Sequence, residues 1–216
     1  MSGPRVTLTF DNGPDPSGTT ARVLDVLKDR GIPASFFVTG AQLAAPGARS
    51  LAERARREGH WIGNHTFSHS VMFGDSDDPD LPDQEIGATQ QLIGDLAGPE
   101  RFFRPYGAGG LLGPRLLSTA AIDHLTVGGY SLVLWNSVPR DWESGEGWVY
   151  RCLDDVATQD WSLVVLHDLP EGGTAHLPLL LDQLEAMDAE LVQAFPDTCV
   201  PIRRGQVRDD LSGLVS

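Results

Sequence analysis

The chain has 216 residues, 41% of them apolar, and its 16 Lys and Arg against 30 Asp and Glu give a net charge of −14. That length suits one large α/β domain with a substantial core. The acidic balance argues against nucleic-acid binding, which needs clustered cations to neutralise phosphate. No apolar run is long enough to span a membrane. No charged-then-apolar leader precedes Val6, so the expectation is a cytoplasmic protein without a membrane partner.

Short apolar runs alternate with amphipathic stretches along the chain. Strands are predicted over 6–10 (VTLTF), 34–38, 60–64, 101–104, 130–135, 162–167 (SLVVLH) and 200–202. Helical patterns lie near 19–30, 47–58, 83–97, 113–122, 147–158 and 177–194. Strands separated by helices imply parallel crossovers, hence a closed (β/α) barrel or a doubly wound sheet. No GxGxxG follows the first strand, and GAGG at 107–110 lacks the rest of that fingerprint, so a dinucleotide site is poorly supported. Residues 74–83 read as an acidic surface loop without calcium-site spacing. Residues 1–204 read as one domain and 205–216 as a loosely ordered tail. Cys152 and Cys199 have no metal-ligand spacing; one disulfide is open to them, but two buried thiols are expected.

Polar residues gather where strands end. Asp11-Asn12 closes the first strand, His65 and His69 follow the third, and Arg104-Pro105-Tyr106 closes the fourth. Asp141-Trp142 follows the fifth and His167-Asp168 closes the sixth. In a parallel α/β barrel those ends share one face, and that face carries the chemistry. His65 and His69, four apart, would project from one side of a helical turn and suit two ligands of one metal. Taken singly, each residue has a plainer reading. Asp11 suits a turn in Asp-Asn-Gly-Pro, Arg104 an anchor for a carbonyl, and His167 a satisfied core residue. His60, at the start of its strand, reads as structural.

These residues together resemble the polysaccharide deacetylase family, the NodB-homology domain of carbohydrate esterase family four. TFDNGP is similar to the family's first motif, HTFSH to its second and FRPYG to its third. RDW at 140–142 and LVVLHD at 163–168 resemble the fourth and fifth, and all five occur in the family's order. The resemblance implies a distorted (β/α)7 barrel that removes N-acetyl groups from amino sugars with one divalent metal, zinc by default, with cobalt, nickel or manganese fitting similar donors. On that resemblance Asp11 would be the general base and Asn12, His65 and His69 would hold the metal. Arg104 would steady Asp11, and the Tyr106 N–H would help bind the oxyanion. Asp141 would orient His167, the general acid, and Trp142 and Val165 would line the acyl pocket.

Three departures stand out. Asn12 replaces the usual Asp, Val138 replaces an Asp three residues before the Asp-Trp pair, and the third motif is one residue shorter than FRPPYG. The substrate expected is a small molecule or an oligosaccharide: an N-acylated amino sugar or related small amide. A cyclic amide or imide hydrolysed on the same fold, without tightly bound metal, and a carbohydrate-binding relative that has lost catalysis are the alternatives.

Overall fold

The computed structural model describes residues 3–143 and 145–216; Met1, Ser2 and Ser144, all inside the expected domain, lie outside the described residues. Seven parallel strands form the wall: β1 (Arg5–Asp11), β2 (Ser35–Val38), β3 (Trp61–Asn64), β4 (Phe102–Phe103), β5 (Ser131–Leu132), β6 (Trp161–His167) and β7 (Glu190–Leu191). The sheet runs β6-β1-β2-β3-β4-β5, with β7 pairing the N-terminal end of β1. A single parallel bridge between Ser137 and Val164 joins the segment after β5 to β6. The result is a curled, distorted (β/α)7 barrel, as the resemblance implied.

Alternation along β1 explains what each side chain does. Val6, Leu8 and Phe10 pack outward against the helical layer. Thr7 and Thr9 take the other face with Asp11, and their hydroxyls donate to the carbonyls of Ala194 and Val164 at 2.6 and 2.8 Å. The outer layer comprises α1 (Thr19–Arg30), the short α2 (Gly40–Leu43), α3 (Ala48–Arg57), α4 (Ala88–Ile93), α5 (Thr119–Val127), α6 (Gly147–Thr158) and α7 (Leu177–Ala186). A second buried cluster, with Phe37, Val133, Leu163 and Phe195, includes Cys199; Cys199 and Cys152 are both free and buried.

Several expectations shift. The predicted helix over 177–194 stops at Ala186, and Glu190–Leu191 becomes the seventh parallel strand. The predicted strand at 200–202 is instead β8 (Ile202–Arg203), which runs antiparallel to β5. The helix expected at 113–122 begins after Ser118, whose hydroxyl accepts the Ala121 N–H at 3.2 Å and caps it. The segment 83–97 winds through a π turn, α4 and a 3-10 turn.

The stretch expected to be a loose tail is tied down. β9 (Gln206–Val207) pairs antiparallel with β8, Leu211 is buried, and the Leu117 N–H donates to the Leu214 carbonyl at 2.9 Å. Among the described residues no helix is long and apolar enough to cross a membrane.

Candidate active site

Strand register carries the polar residues to one mouth. Asp11 lies opposite His167 across the β1–β6 pairing, and Asn64, just before His65, lies opposite Phe103, just before Arg104. A pocket of about 230 Å³ opens there, lined by Asp11, Asn12, His65, His69, Tyr106, Trp142, Val165 and His167 among others. Every site residue expected from the sequence is at this mouth or directly behind it. Arg104 and Asp141 are the two behind.

Asp11 is buried, and Arg104 holds it. The guanidinium is fully enclosed, donating to Asp11 Oδ1 and Thr9 Oγ1 at 2.7 Å each and to the carbonyls of Val133 and Leu134 at 3.3 and 3.2 Å. It also stacks 4.1 Å from the Phe37 ring. Burial alone would raise the Asp11 pKa, but the charge of Arg104 and its hydrogen bond, with the charge of His167, hold it below the ordinary value. Asp11 is therefore a carboxylate at neutral pH.

Asp141 and His167 make a second pair. The His167 Nδ1–H donates to Asp141 Oδ1 at 2.7 Å, and the His167 backbone N–H donates to Oδ2 at 2.8 Å. Burial pushes the imidazole pKa down, but the Asp141 carboxylate offsets this and raises it above 6.5. The Trp142 ring stands edge-on to His167, centroids 5.2 Å apart. A base that is ionised and an acid that keeps its proton thus flank one pocket.

His65 and His69 meet differently from the expected helical turn. Residues 65–70 form a loop in which Thr66 and His69 take left-handed backbone angles, φ 66° and 52°. The two rings still approach to 4.7 Å, and His69 lies 4.4 Å from the Tyr106 ring. Burial lowers the pKa of both, that of His69 to about 3, so both are neutral. His65 Nδ1 lies 2.9 Å from the Arg104 carbonyl, which only accepts, so Nδ1 carries the proton and Nε2 presents a lone pair. That Nε2 faces Asp11 Oδ2 at 3.4 Å, two acceptors in an arrangement that a cation relieves.

These side chains fit a divalent metal, with an amide among the donors. Among the described residues no group of three His, Cys, Asp or Glu could hold a metal ion. However, Asn12 Oδ1 is buried and accepts no hydrogen bond, a costly state for an amide oxygen without a partner. Two neutral imidazoles and one free amide oxygen are a donor set for zinc or a similar ion.

Two carboxylates that shape the site escaped the sequence reading. Glu85 Oε2 accepts the N–H groups of Phe67 and Ser68 at 2.8 Å each and so holds the histidine loop. Asp168, named only as His167's neighbour, is buried behind the Asp11-Asn12 loop. Burial pushes its carboxyl up to about 6 despite hydrogen bonds from Thr20 and Gly13. No local signal sets Glu85 apart, because it follows Asp83 and Gln84 in DQEIG and reads as one more polar helix residue.

A sequence model of the polysaccharide deacetylase family matches residues 1–113, which include the first three motifs. This chain belongs to that family. It is 34% identical to a chitooligosaccharide deacetylase of Sinorhizobium fredii over 93% of this chain and 89% of that protein. It is 28% identical to the peptidoglycan-N-acetylglucosamine deacetylase PgdA of Listeria monocytogenes over 87% of this chain. The chain spans 37% of PgdA's length and 58% of an uncharacterized 30.6 kDa relative from Geobacillus stearothermophilus. Its fold superposes on a family 4 acetyl xylan esterase from Clostridium thermocellum, solved with a cobalt ion, with a TM-score of 0.70, 29% identity and 87% of each chain covered.

Proposed function

We propose that this family member hydrolyses an N-acetyl amide of an amino sugar within a glycan or oligosaccharide. The observation that carries the proposal is the pair of proton-transfer groups, Asp11 held by Arg104 and His167 held by Asp141, that line one pocket. Relatives named as chitooligosaccharide and peptidoglycan deacetylases support the substrate class.

Asp11, ionised and oriented by Arg104, takes a proton from the attacking water as the oxygen–carbon bond forms. The Tyr106 N–H, which donates to no other group among the described residues, helps hold the negative charge that develops on the carbonyl oxygen. The carbon–nitrogen bond then breaks as His167 passes its proton to the leaving amine, leaving acetate and a free amino sugar. Trp142 and Val165 form the apolar wall beside the acyl methyl group. Asn12, His65 and His69 would hold a divalent cation, which when bound would supply Lewis-acid polarisation of the amide carbonyl.

The test is acetate release from N-acetylglucosamine oligomers, with and without added zinc or cobalt, beside a panel of simple imides. Acetate from the oligomers is expected. Asp11→Ala and His167→Ala should each reduce turnover by about a hundredfold or more. Turnover of imides alone would replace this reading with the cyclic-amide one, and glycan binding with no acetate under any metal would replace it with a binding function.

A further inference from the structure

Asp168, just past the end of β6 and outside the pocket lining, holds the backbone beside Asn12, just past the end of β1. Asn12 sits at φ 78°, a left-handed conformation uncommon for a residue with a side chain. Its N–H donates to the Phe37 carbonyl at 3.1 Å. The peptide after it is gripped at both ends. The Asn12 carbonyl accepts from Thr39 Oγ1 at 3.2 Å, and the Gly13 N–H donates to Asp168 Oδ1 at 3.0 Å. The other Asp168 oxygen accepts from Thr20 Oγ1 at 2.6 Å, and Thr20 Oγ1 itself accepts the Asp15 N–H at 2.7 Å.

Space enforces the same arrangement. A Cβ on Gly13 would lie 2.1 Å from Asp168 Oδ2, so only glycine lets the backbone approach the carboxylate this closely. The orientation of the 12–13 peptide plane fixes the backbone of Asn12 and so the point from which its side chain, with the unpartnered Oδ1, projects. Asp168 is 1% exposed and does not line the pocket.

We propose that Asp168, backed by Thr20, is the positioning residue that aims the Asn12 amide oxygen at the metal. This rests on Asn12 being a ligand. Groups that orient a ligand from behind typically change metal affinity by about ten- to a hundredfold when removed.

The test is a double-mutant cycle read by cobalt affinity in calorimetry and by the visible spectrum of the bound cobalt. Asp168→Ala is expected to weaken cobalt binding by about tenfold or more and to change the spectrum. Asp168→Asn should restore both, because its amide oxygen accepts from Gly13. The new NH2 donates to Thr20, whose own proton turns to the Asp168 carbonyl 3.3 Å away. In an Asn12→Ala background Asp168→Ala should add less than about a twofold further loss. If Asp168→Ala does not fold, Thr20→Val and its serine control, Thr20→Ser, carry the same cycle, with loss expected only for valine.

Equal losses with and without Asn12, or wild-type affinity in Asp168→Ala, overturn the proposal. Unchanged affinity in Asn12→Ala alone overturns the ligand reading beneath it, which separates the two failures.

Discussion

Arg104 Nη1 and Asp11 Oδ1 lie 2.7 Å apart, with the arginine side chain fully enclosed and that of the aspartate 4% exposed. Each charge is tolerable only because of the other. Arg104→Met should leave an unpaired buried carboxylate and destabilise the protein by about 3–5 kcal/mol in urea unfolding. Adding Asp11→Asn should recover part of that loss, since no buried charge remains. A single variant of wild-type stability would show that the two do not act as a unit.

On the proposed mechanism, the Asp141–His167 pair sets the alkaline limit of activity. An imidazole with a raised pKa is protonated below that value and loses its proton as pH rises through it. Asp141→Asn removes the carboxylate that opposes burial, so the pKa falls. The alkaline limb of the kcat/KM profile should therefore move to lower pH, with turnover at about pH 8 reduced more than at about pH 6, on either side of the ordinary histidine pKa. A limb that does not move would take the acid role away from His167.

His69 ties stability to pH in the metal-free protein. Its pKa is about 3 in the fold against 6.5 when unfolded, so below about pH 6.5 the unfolded chain binds the extra proton. This contribution is fully present above 6.5 and is lost as pH falls from 6.5 towards 3. His69→Gln should flatten that part of the decline in urea midpoint. Parallel curves for the two proteins would count against a neutral, buried His69.

Replacing Asn12 by Asp returns a negative charge to the donor set. The expected outcome is a lower zinc dissociation constant in calorimetry and slower loss of activity to a chelator. An unchanged constant would remove residue 12 from the ligands.

Much of the site was legible because its residues sit beside strands that announce themselves. VTLTF and SLVVLH are apolar enough to mark β1 and β6, and the polar residue ending each then falls at the mouth. The histidine loop was read as a helical turn because a four-residue spacing cannot reveal positive φ at Thr66 and His69. The apolar rhythm of 177–194 runs past the end of α7, so the two-residue β7 was hidden by a helical pattern. The turn at Arg204-Gly205, with φ 50° and 76°, joins β8 to β9, and an Arg-Gly pair is a weak hairpin signal. Asp168 was opaque for another reason: its partner Gly13 is 155 positions away, a distance no local pattern spans.

The order of strands along the chain has a consequence for folding. β1 comes first in the chain, yet its seven-residue pairing with β6 begins only at Trp161, three quarters of the way to the C-terminus. Pairings this distant in sequence are slow to form, because chain closure must precede the contacts that stabilise it. Until β6 arrives, Val6, Leu8 and Phe10 flank an open strand edge, the kind of surface that pairs with other copies of itself. A chain cut before Trp161 would keep the whole of the matched segment 1–113 with that edge uncovered, and should aggregate when expressed alone.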